Sequence, residues 1–231
     1  MSMVGDTMFV HGKEDQAVPV RNALEQFIAF LKQCQQNSPV LLVGHNIKNF
    51  DSKILIHALT NCELLSDLEN ATVGFLDTLN LLHKKTLPKQ PSYRQEDLLK
   101  NLLGETYSAH SAIHNVIALQ KLMATLVVER TVLNPSSFSC QHAIKSYFIS
   151  SQVIKNLPSL HTMVDKKIIS PGIARTIAES ALNCNHLQIA WKRNGIDGLR
   201  NLLSEVNDGH IRVTRSEEII AAIGDYICNL N

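Results

Sequence analysis

The 231-residue chain balances 22 Lys and Arg against 21 Asp and Glu, a formal net charge of +1, and 45% of its residues are apolar. That composition excludes a disordered tail or a polybasic arm, so any contact with nucleic acid has to come from a local surface. The length suits one or two domains, and two is the reading adopted.

The five cysteines, Cys34, Cys62, Cys140, Cys184 and Cys228, are scattered without a C-x-x-C pair. They read as reduced thiols of an intracellular protein rather than as zinc ligands or a disulfide framework. The opening "MSMVGDTMFV" lacks a basic stretch followed by an apolar one, and no apolar run approaches the roughly 20 residues that span a bilayer. The expectation is a protein of the nucleus or cytoplasm with no membrane contact.

In chain order, "TMFVHG" is a weak strand or a loop, and Ala23, Leu24, Phe27, Ile28, Phe30 and Leu31 follow a helical period. "PVLLVGHN" is a short buried strand that runs into a turn at Gly44, with Asn46 placed to cap the helix that follows. "ATVGFLDTL" predicts a second strand and "DLLKNLLG" a short helix closed by Gly104. A long helix spans 110–128, with Ala112, Ile113, Val116, Leu119, Met123 and Leu126 inward. This α/β domain covers 1–132, and "LNPSS" at 133–137 marks a boundary. From 138 to 231 the pattern predicts helices alone, with Ser170 before Pro171 as one helix start and Thr214 with Glu217 as a capping box.

Within "GHNIKNFDSKIL", Ile47, Phe50, Ile54 and Ala58 define the face expected to turn towards the sheet, and Asp51 borders it. An inward carboxylate is costly unless it meets a metal, a cation or several donors, although a lone Asp on a helix is more often a surface residue. His110 stands before its helix with small neighbours at Ser111 and Ala112, so its ring is able to reach a cleft and activate a water. A single histidine among ten carries little weight by itself.

Taken together, the strand, "GHNxxxFDxxxL", "LDTLxLL" and "HSAIHNVIAL" resemble the second and third motifs of the DEDDh 3'-5' exonucleases, a ribonuclease H-like family. The resemblance implies two divalent ions, Mg2+ or Mn2+, held by four acids, with a histidine as general base. It places Asp51 at the second-motif aspartate, His110 at the histidine and Asn115 at the last aspartate; Asp77 and Thr78 match a strand-end "DT" that is not among the four acids. "KED" at 13–15 does not supply the first-motif D-x-E. Asp51 is therefore the one metal-binding acid of four, and metal binding is expected to be weak or absent.

The stretch from "FSCQHAIKSYF" to "GIDGLRNLLSE" is similar to the helical region that follows an exonuclease-like fold in promyelocytic leukaemia (PML)-type proteins of vertebrates. Within it, "IISPGIARTIA" also looks like a helix-hairpin-helix turn, in which backbone N–H groups near Gly172, flanked by Lys166, Lys167 and Arg175, bind a phosphate. A plain Ser-Pro helix start is the commoner use of such a sequence, and Lys84, Lys85, Lys89 and Arg94 read as a solvated loop.

The expectation is thus a partial ribonuclease H-like fold followed by a small helical domain. It binds nucleic acid, with Asn46 among the contacts, or a protein partner, without efficient cutting. An active exonuclease whose first motif lies elsewhere, and a protein-interaction module, are the alternatives. The apolar strand 39–44 is interior in the resembled family but lacks here the opening strand that would flank it, so its uncovered edge is expected to pair with another chain or to be covered in part by "TMFVHG".

Overall fold

The structure, a computed structural model, describes residues 2–4, 7–10, 13–15, 17–36, 38–83, 89–107, 111–125, 136–207 and 209–230. The chain is mixed α/β and mostly helical. It divides into two compact units, Met1–Ile144 and Lys145–Asn231.

The first unit opens with an antiparallel meander, β1 (Ser2–Val4), β2 (Thr7–Val10) and β3 (Lys13–Asp15). The "TMFV" segment is thus a strand, but its described partners are β1 and β3. The expectation that it folds back onto the strand at 39–44 is corrected. Helix α1 (Val20–Gln35) follows and buries Leu24, Ile28 and Leu31, spaced for one helical face, while Phe30 of the same apolar series is 59% exposed.

A second sheet carries the core of this unit. Strand β4 (Leu41–Gly44) connects through helices α2 (Asp51–Asn61) and α3 (Leu65–Ala71) to the parallel strand β5 (Gly74–Asp77). Short helix α4 (Thr78–Leu81) follows, then α5 (Gln95–Leu103), which ends at Gly104 with φ 67°, as the glycine led one to expect, and α6 (Ala112–Thr125). Strand β6 (Ser137–Ser139) returns antiparallel to β5, so the sheet order is β4-β5-β6. Gly74 makes this return possible: a Cβ there would stand 2.2 Å from the Phe138 carbonyl oxygen. Phe75 and Phe138 then stack with ring centroids 5.4 Å apart.

Strand β4 is the edge of the described sheet, as the missing opening strand led one to expect, and Leu41 and Val43 on one face are 39% and 44% exposed. Two other expectations fail, each for a packing reason. Helix α6 is rotated from the expected register: it buries Ala118 and Leu122 against Leu82, Leu98 and Leu99, while Ile113 and Val116 are 71% and 67% exposed. Its apolar residues surround more than one face, and docking on α5 selects the one that the spacing did not. Leu126 lies outside the described residues. Finally, residues past 137 are not helical throughout, because β6 joins the sheet of the first unit.

Helix α7 (Cys140–Asn156) contains the division between the units. The second unit continues with a 3-10 turn (Leu157–Leu160), α8 (His161–Asp165), α9 (Pro171–Glu179) and α10 (Cys184–Ser204). A small hairpin of β7 (Val206–Asn207) and β8 (His210–Ile211) precedes α11 (Glu217–Cys228). Leu160, Met163, Ile177, Leu187, Leu199, Leu203, Ile220 and Ile223 lie at the centre of its core, each fully buried. Ser170 caps α9 as expected, its Oγ accepting from the Ile173 N–H at 3.2 Å. Before α11 the cap is Ser216, which accepts from Ile219, and not Thr214, whose hydroxyl oxygen accepts from Ser216 N. Among the described residues no helix is long and apolar enough to cross a membrane.

Candidate functional site

The carboxyl ends of β4 and β5 are fastened together by one buried acid. Asp77, 4% exposed, accepts at Oδ1 from the N–H of Asn46 (3.0 Å) and of Leu79 (3.0 Å), and at Oδ2 from that of Lys48 (3.2 Å). Two of these donors belong to the turn after β4, so the carboxylate holds that turn across the sheet edge. Hydrogen bonds to a charged acceptor contribute about 1.5–3 kcal/mol each.

His45 makes a second fastening. Its Nε2 lies 2.8 Å from the Tyr93 carbonyl oxygen, which fixes that nitrogen as the donor, and its Nδ1 is 3.0 Å from Thr78 Oγ1. Burial depresses the imidazole pKa below its usual range, against smaller opposing pulls from the Tyr93 carbonyl and the Asp77 charge. The ring is a neutral strut between β4, β5 and the 89–94 segment.

Asn46 does not cap α2. It takes a left-handed conformation, φ 64°, and its carbonyl accepts from Asn49 and Phe50 to close a turn, so that α2 begins only at Asp51. Asn tolerates this conformation better than most residues. The delay also shifts the helix register: α2 buries Ser52, Ile56 and Leu59, while Phe50 and Ile54 are 61% and 55% exposed. The inward face expected from Phe50 and Ile54 is therefore corrected, and Asp51 is an exposed residue on the first turn, where a carboxylate favours the helix dipole.

A cleft of about 490 Å3 opens on this edge, lined by Asn46, Lys48, Asn49, Asp77, Leu79, Asn80 and His83. A second hollow, lined by His83, Lys89, Gln90 and Tyr93, shares the His83 wall. Asp51 and Asn115 are not among the described lining residues of either. Asn115 sits on α6, half-buried, and its carbonyl accepts from Gln95 Nε2 at 2.6 Å. His110 lies outside the described residues, as do Lys84 and Lys85; Lys89 and Arg94 are exposed. The structure thus brings Asn46 into the cleft with residues that sequence reasoning had left aside: Lys48, Asn49, Asn80 and His83. The signal that could have found them is the pair "GHN" and "DT" at adjacent strand ends, which brings the segments that follow both strands to one edge of the sheet.

The donor set does not fit two divalent ions. Both oxygens of Asp77 are occupied by N–H groups, Asn115 supplies an amide, and Asp51 is a single exposed carboxylate. Hard cations need several oxygens, most of them charged, at one point. Among the described residues no three His, Cys, Asp or Glu side chains gather in that way.

In the second unit, the stretch "IISPGIARTIA" runs from the turn after α8 into α9. Ile168 N donates to Met163 O and Lys167 N to Val164 O, each at 2.9 Å, with Lys167 left-handed at φ 58°. The Lys166 ammonium lies 5.5 Å from the Tyr226 ring centroid, and Arg175 pairs with Glu179 at 2.8 Å. Gly172 and both lysines are exposed. The Ser170 cap, its Oγ bonded to Ile173 N, is the interaction seen at the start of α9.

Residues 156–230 match the family described as PML, C-terminal domain, and this part of the chain is related to it. No curated protein matches the chain. The matched segment runs from the buried Asn156, the last residue of α7, through α11, and holds every fully buried residue of the second unit's core.

Proposed function

We propose that the α/β unit is a non-cleaving relative of the DEDDh 3'-5' exonucleases that binds nucleic acid at the carboxyl edge of its sheet. One observation carries this reading: the cleft there presents the Lys48 cation and three Asn side chains, and its one described carboxylate, Asp77, is already bound by three backbone N–H groups. Phosphates meet donors there without a facing free acid. The relation of residues 156–230 to the PML C-terminal domain concerns the second unit alone and stands apart from the exonuclease resemblance of the α/β unit; a place in the nucleus or cytoplasm suits the proposal. Cleavage by two metal ions is not proposed, because Asp51 is the one acid left at the motif positions and Mg2+ or Mn2+ would be held weakly or not at all.

Two titrations test the reading. A labelled single-stranded oligonucleotide should bind the full chain, and the affinity should fall steeply between about 50 and 200 mM salt. With manganese the strand should remain intact. Degradation abolished by His110→Ala would replace this reading with that of an active exonuclease; binding that salt leaves unchanged would remove the phosphate contacts from it.

A second reading, a protein-interaction module, is favoured by a different observation. Leu41 and Val43 on β4 and Ile113, Val116 and Ile117 on α6 are all exposed, and an apolar hollow is lined by Val43, Val116, Leu119, Gln120 and Met123. Such a surface beside a strand edge suits another protein or a second copy. Light scattering over a range of concentrations tests the second copy: a monodisperse monomer throughout would exclude it.

A further inference from the structure

We infer that the cleft at Lys48 and the adjoining hollow at Tyr93, which share His83 in their lining, form a subsite for one nucleotide, its phosphate at the Lys48–Asn46–Asn49 end and its base against His83. This rests on the nucleic-acid reading and assigns it a lining that includes neither Asp51 nor Asn115.

The phosphate end is prepared by hydrogen bonding already on the protein. Asn49 Nδ2 donates to Asn46 Oδ1 at 2.9 Å, which orients both amides and leaves the two hydrogens of Asn46 Nδ2 without a partner among the described residues. Lys48 pairs with no carboxylate among the described residues, and its ammonium hangs 5.8 Å from the Phe138 ring centroid. The backbone of this turn cannot drift, since Asp77 holds the N–H groups of residues 46 and 48. A doubly charged phosphate monoester there gains a cation and amide donors with little reordering.

The base end is prepared by packing. The His83 ring is exposed and tilts against Tyr93, centroids 4.7 Å apart at 55°, so it is braced by protein while it faces solvent. Tyr93 in turn is packed against the core of Leu82, Leu98 and Leu99, and its carbonyl is held by His45. An unstacked base finds a fixed aromatic surface there, the arrangement that single-strand binders use. Lys89 and Gln90 line the same hollow beyond the ring, where a second phosphate of a longer strand would pass.

The test compares adenosine 5'-monophosphate with a labelled single-stranded oligonucleotide, by calorimetry and fluorescence anisotropy, on the full chain. The variants are Lys48→Ala and His83→Ala, with Lys100→Ala, an exposed lysine on α5, as the charge-matched control. His83→Ala should weaken the mononucleotide by about fivefold or more, the loss expected of one stacked base. Lys48→Ala should weaken it and flatten its salt dependence, and circular dichroism should show both variants folded. Mononucleotide binding that the control leaves intact and both variants weaken supports the subsite. Oligonucleotide binding that neither variant changes, with no mononucleotide bound, overturns the subsite and leaves the nucleic-acid reading standing. Mononucleotide bound in the groove with no oligonucleotide binding keeps the subsite and removes that reading. Failure of both ligands to bind overturns both.

Discussion

Asp77, the last residue of one strand, accepts a hydrogen bond at 3.0 Å from the backbone N–H of Asn46, two residues beyond the end of the neighbouring strand. The acid that sequence comparison would set aside as non-catalytic is the one that shapes the cleft. Replacing it with alanine leaves the N–H groups of Asn46, Lys48 and Leu79 without their acceptor in a largely buried place. We expect Asp77→Ala to destabilise the chain by about 3 kcal/mol in urea unfolding, since each orphaned donor costs about 1–3 kcal/mol and relaxation recovers part. Amide exchange at 46, 48 and 79 should accelerate; exchange at wild-type rates would show that Asp77 does not hold the turn.

His45 gives the first unit a pH dependence whose sign follows from its depressed pKa. At pH well above about 6.5 the ring is neutral in folded and unfolded chains alike and contributes no slope. Below about 6.5, the usual value, the unfolded chain takes up a proton that the folded chain resists. Stability therefore declines as pH falls through that point and levels off below the lower folded pKa. The urea midpoint of the wild type should drop between pH 7.5 and 5.5 by more than that of His45→Asn. Equal drops would mean that other groups account for the slope.

The thiols separate by environment. Burial, aided by the charge of Glu69, pushes the Cys140 pKa up to about 11, and burial also raises that of Cys184, whereas Cys34 and Cys228 are exposed. The thiolate is the reactive form. In the native chain at pH 8, an aromatic disulfide reagent should label Cys34 and Cys228 first and Cys140 only after denaturation. Mass mapping of the labelled sites decides this, and early label on Cys140 would contradict its buried setting.

The strands at 41–44 and 74–77, the glycine-closed helix before Gly104 and the Ser170 cap were all legible in the sequence, because each is dictated by local chemistry: an apolar run, a left-handed terminus, a hydroxyl at a helix start. What was not legible depends on partners distant in the chain. The inward face of α6 is chosen by Leu98 and Leu99 of α5, and the late start of α2 by the turn that Asp77 clamps. Apolar spacing on α6 allowed either face. Likewise β6 is three residues of "SFS", too short to show alternation, and becomes a strand only because Gly74 admits it beside β5. At the site, the amide pair Asn46–Asn49 and the lean of His83 on Tyr93 are tertiary facts with no motif of their own.

Asn156 is 1% exposed and joins three elements of the second unit. Its Nδ2 donates to Gln152 Oε1 at 3.1 Å and to the Ala178 carbonyl at 3.4 Å, and its Oδ1 accepts from Asn183 Nδ2 at 3.5 Å. These bonds link the end of α7, the end of α9 and the residue that caps α10. Asn156→Leu fills the space but abandons the Asn183 amide and the Ala178 carbonyl, so it should cost about 2 kcal/mol. The reading is thermal unfolding together with amide exchange at the start of α10. Unchanged stability would mean that the network is not needed.

Helix α10 is kinked. Within α10, Asn194 and Gly195 leave helical geometry, Gly195 with φ 51° and ψ −136°, and the two halves fold towards each other. Gly198 comes so close to the earlier half that a Cβ there would stand 2.1 Å from the Ala190 carbonyl oxygen. In an unbroken helix Gly198→Ala would be stabilising by about 0.5–1 kcal/mol, through the lower backbone entropy of alanine in the unfolded chain. Here the contact is with backbone, which cannot swing aside as a flexible side chain would, so the sign reverses. We expect Gly198→Ala to destabilise the chain by about 1–3 kcal/mol, the range for overpacking. The companion Gly209→Ala, at φ 78° and with open space around the added methyl, should show backbone strain alone and a smaller loss. If Gly198→Ala raised the melting temperature, the kink and the close approach that it creates would both be wrong.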